Sequence, residues 1–60
     1  MTPKELLYVE DALGHDKQMK DICRSYAPQI QDAELKGFVE NLSIRYGQSF
    51  NKLYGLLTNA

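Results

Sequence analysis

Sixty residues carrying seven basic and eight acidic side chains make one small, nearly neutral domain, too short to bury a comfortable core without help. The single cysteine, Cys23, excludes a disulfide framework, no Cys/His spacing suggests a structural zinc site, and the charge balance argues against nucleic acid as a partner. The first residues lack the basic start and long apolar core of a signal peptide, and no apolar run is long enough to span a bilayer, so no membrane association is expected.

Thr2-Pro3-Lys4-Glu5 reads as a capping box that opens a first helix, with the hydroxyl at the N-cap, proline at the first helical position and Glu at the third. From there Tyr8, Ala12, His15, Met19, Ile22 and Tyr26 recur at alternating steps of four and three, the spacing of a packed helical seam. Val9, Cys23 and Ile30 widen it on one flank, and Leu6, Leu13 and Ala27 on the other. A stripe this broad predicts more than one neighbouring helix. Lys17, Lys20 and Arg24 share another face, interrupted by Asp16 and Asp21. The spacing from Asp16 to Lys20 predicts a surface ion pair on a solvated side.

Pro28 removes a backbone donor and crowds the carbonyl of Arg24, so the first helix, about 3–30, is expected to distort near it. Asp32 then reads as the cap of a second helix, about 33–58, with Glu34 in its first turn. So short a link forces an antiparallel hairpin. The second helix has its own seam in Leu35, Val39, Leu42, Tyr46, Ser49, Leu53 and Leu56, flanked by Phe38, Phe50 and Leu57.

The expected architecture is therefore all-α: one helical hairpin over 1–60, with an uncovered face closed by a second copy into a four-helix bundle. Gly14, Gly37, Gly47 and Gly55 lie off the seams and weaken both helices by about 1 kcal/mol each relative to alanine. Such helices depend on packing, which again favours a homodimer.

Chemistry is sparse. His15 lies within the seam and Asp11 one turn before it, so the two are the candidate metal ligands if a metal is bound; the other reading is a bundle histidine hydrogen-bonded near Tyr46 or Ser49. The Glu-x-x-His pairs of a carboxylate-bridged di-metal site are absent. Cys23 and His15 stand eight residues apart on one helix, about 12 Å along its axis, which is too far for a nucleophile and its base. Neither catalysis nor a cofactor is expected, and Cys23 reads as a small buried hydrophobe. A module that binds a partner's amphipathic helix is a further possibility.

The runs Lys4-Glu5-Leu6-Leu7-Tyr8-Val9-Glu10-Asp11-Ala12-Leu13-Gly14-His15 and Gln31-Asp32-Ala33-Glu34-Leu35-Lys36-Gly37-Phe38-Val39 resemble the Coat F-related small spore coat proteins of endospore-forming Gram-positive bacteria. The resemblance extends over nearly the whole chain. It implies a ferritin-like helical hairpin, a non-enzymatic structural role in the spore coat or in sporulation, synthesis in the cytoplasm, and other coat proteins as partners. Relatives often carry histidines in the middle of the second helix, where this chain has Tyr46 and Ser49. Any metal binding through those positions does not transfer.

Overall fold

Thr2 stands in extended backbone just before the first helix and accepts a hydrogen bond on its hydroxyl from the Glu5 amide at 3.1 Å, while the Glu5 carboxylate accepts one from the Thr2 amide at 2.9 Å. This reciprocal pair satisfies two amides that the first turn would otherwise leave without partners. In the computed structural model, which describes residues 1–58, helix α1 follows as Pro3–Tyr26.

The chain tightens where Pro28 removes the next donor. Ala27–Gln29 form a 3-10 turn, and Ile30 is extended at φ −82 and ψ 124. The Gln29 side-chain amide donates to the Ser25 carbonyl at 3.3 Å, covering one of the acceptors freed at the helix end. Asp32 then starts helix α2, Ala33–Thr58, its carboxylate accepting from the Leu35 amide at 2.8 Å.

The two helices pack side by side into a rod of 45 × 15 × 11 Å. Lys20 marks the antiparallel register, since its Cδ lies 3.5 Å from the point where a Cβ on Gly47 would stand. Along α1 and the turn after it the buried or half-buried line is Val9, Leu13, Asp16, Lys20, Cys23, Ala27 and Ile30; along α2 it is Lys36, Val39, Ser43, Tyr46, Phe50, Leu53 and Leu57. Both lines step by three and four, the spacing of one face of an α-helix.

Few of these residues are sealed. Among the described residues Leu13, Cys23 and Ala27 are the buried apolar ones, and no large side chain is fully buried. Ser43 is buried but satisfied, its hydroxyl donating to the Glu40 carbonyl at 2.6 Å.

Asp16 and Lys20 do not form the expected surface pair. Asp16 is only 8% exposed, with no hydrogen-bond partner for Oδ2, and the Lys20 ammonium lies over the Phe50 ring instead. The physical reason is rotational. The hairpin contact runs through Asp16 and Lys20, so these positions face α2 rather than water.

Candidate interaction face

On α1 the buried line lies one residue after the apolar series Tyr8, Ala12, His15, Met19, Ile22 and Tyr26, a rotation of about 100° on a helix of 3.6 residues per turn. On α2 the buried line lies one residue after Leu35, Leu42, Ser49 and Leu56, whereas Val39, Tyr46 and Leu53 belong to both series. The sense of the displacement is the same on each helix. Two antiparallel helices are related by an approximate two-fold normal to their common plane, which leaves each broad side of the pair on itself. Displacements of like sense therefore bring both apolar series to one broad side of the hairpin.

That side is largely uncovered. Tyr8, Tyr26, Leu35 and Leu56 are each more than half exposed, and Ile22 is 39% exposed. Ala12, Met19 and Leu42 lie half-buried between this side and the hairpin contact. The uncovered series on α1 contains no carboxylate, lysine or arginine, whereas the line packed against α2 contains both Asp16 and Lys20. The better apolar seam faces solvent. A contiguous apolar surface of this kind is the signature of an interaction site.

His15 and Ser49 are the polar members of the face, and both are exposed. Asp11 is also exposed, one turn from His15 on the same helix. Among the described residues, no group of three or more His, Cys, Asp or Glu side chains is placed to hold a metal ion. Cys23 is buried against α2 with a free thiol. No helix among the described residues is long and apolar enough to cross a membrane.

Asp16 is the feature that sequence reasoning misplaced. The signal available was its position three after Leu13 and seven before Cys23, which continues a line through Val9 and Ala27. An ionisable residue in that line reads as a surface residue because Asp is seldom buried.

These features define a class: a two-helix, all-α unit with an open apolar face. No family model, no curated protein and no solved structure matches the chain.

Proposed function

We propose that the protein is a non-enzymatic assembly component whose hairpin pairs with a second copy, through the open face, into a four-helix bundle. The observation that carries this reading is the inverted distribution of apolarity: the uncovered seam on α1 is uncharged, while the covered one holds an aspartate and a lysine. Leaving such a face in water forgoes stabilisation that a chain of this length needs, at about 25 cal/mol per Å² of apolar surface removed from solvent. The resemblance to Coat F-related proteins supports the spore coat as the setting, with other coat proteins as further partners. That part of the reading rests on the quoted runs alone.

Sedimentation equilibrium tests the pairing. The wild-type chain is expected to have twice its formula mass at tens of micromolar, and Ile22→Lys, which puts a charge at the centre of the open face, is expected to shift it towards monomer. A wild-type monomer throughout that range would defeat the reading. The setting is tested separately, by fusing the chain to a fluorescent protein in a sporulating host and asking whether signal rings the spore or stays diffuse.

A further inference from the structure

We infer that the two copies associate head to head, with their two-fold axis along the hairpin's long axis, so that α1 of each lies against α2 of the other and both turns sit at one end. This inference rests on the dimer proposed above and adds its topology.

A second copy suits the face in size. The broad side of a 45 × 15 Å rod offers about 700 Å², close to the roughly 800 Å² that each partner contributes to a standard interface. It also suits the face in pattern. With the two-fold along the rod, every level of one hairpin meets the same level of the other. Tyr8 then falls within about one helical turn of Leu56 of the second copy, His15 of Ser49 and Ile22 of Leu42, given the register marked by Lys20 and Gly47. The two polar members of the open seams come within about one helical turn of each other, Ser49 standing level with about residue 18, between His15 and Met19 of the second copy. At the rims, Asp11 at the outer edge of one α1 lies about one helical turn from the level of Lys52 at the outer edge of the opposite α2.

The other face-to-face arrangement puts the turns at opposite ends and stacks α1 on α1 and α2 on α2. Lengths oppose it. In the hairpin register Thr58 lies level with about residue 9 of α1, so the midpoints of Pro3–Tyr26 and Ala33–Thr58 are offset along the rod. The offset is about 10 Å at 1.5 Å per residue. No one axis position can then centre both stacked pairs.

The test is a distance between the turns. Spin labels are placed at Gln31→Cys in a Cys23→Ser background and measured by pulsed dipolar spectroscopy on the full chain, with molar mass from light scattering on the same sample. A second variant, Glu34→Cys in the same background, covers the case in which the first disturbs the turn. Head-to-head pairing predicts a label separation set by the width of a four-helix bundle, about 15–30 Å given axes 8–10 Å apart and the reach of the labels. A dimeric mass with a separation of 40 Å or more, set by the 45 Å length of the rod, would overturn the topology and leave the dimer standing. A monomeric mass with no dipolar signal would remove both.

Discussion

The Lys20 ammonium lies 5.9 Å from the centroid of the Phe50 ring, and Phe50 in turn stacks on Tyr54 at 6.2 Å with an interplanar angle of 8°. This column spans the hairpin contact from α1 to α2 and fills the level left small by Gly47. Within it the lysine lays its alkyl stem on helix backbone and its charge on an aromatic face, an arrangement that keeps an ammonium in a half-buried line.

Phe50→Ala is therefore expected to destabilise the hairpin by about 2–3 kcal/mol, below the range for a fully buried phenylalanine because Phe50 is half-buried. Phe50→Leu keeps most of the volume and loses the ring face, at a cost of about 1 kcal/mol. Urea unfolding of both variants reads the difference. Equal losses would mean that volume counts for nothing at this level.

Asp16→Asn is expected to raise stability by about 1–2 kcal/mol, because it removes a charge whose buried Oδ2 lacks a partner. A lowered urea midpoint for this variant would show that the carboxylate does have a partner in solution.

A Cβ added at Gly14 or Gly37 would meet nothing within 4 Å. Gly14→Ala and Gly37→Ala should each stabilise the helices by about 1 kcal/mol through backbone entropy and helix propensity. Thermal unfolding followed by circular dichroism measures the gain, and a fall in Tm for either variant would mean that a neighbouring chain occupies that space.

The Glu5 carboxyl is held below its ordinary value of 4.5, first by the Thr2 amide and then by its hydrogen bond to the Thr2 side chain. A carboxyl depressed in the folded state contributes stability that is full above its unfolded value and is lost as pH falls through the folded one. Unfolding followed below about pH 4.5 should thus show a smaller acid-induced loss in Glu5→Gln than in the wild type. Parallel pH profiles would sink the idea. Separately, Thr2→Ala at neutral pH should cost about 1 kcal/mol, the usual loss on removing a capping hydroxyl.

Helix starts and the break between helices were legible in the residues because their causes are local. A threonine hydroxyl reaches an amide three residues away, proline lacks a donor wherever it stands, and the Asp32 carboxylate caps the turn that follows it. The presence of two apolar helices with broad stripes was legible too, since periodicity alone carries it.

Which part of each stripe meets the other helix was not legible. Tyr8, His15 and Ile22 form the more apolar series, yet the hairpin closes on Leu13, Asp16, Lys20 and Cys23, one position round. The hydrophobic effect is non-directional and ranks faces by area; it does not say which neighbour covers which face. That choice depends on small residues. Gly47, Ser43 and Ala27 let the backbones approach along the buried line, and Gly47 leaves room for the stem of Lys20. Helix type, caps and amphipathic width follow from the chain itself, whereas the rotation of each helix about its own axis, and with it the burial of Asp16 and the opening of an apolar face, is decided only when the two surfaces interlock.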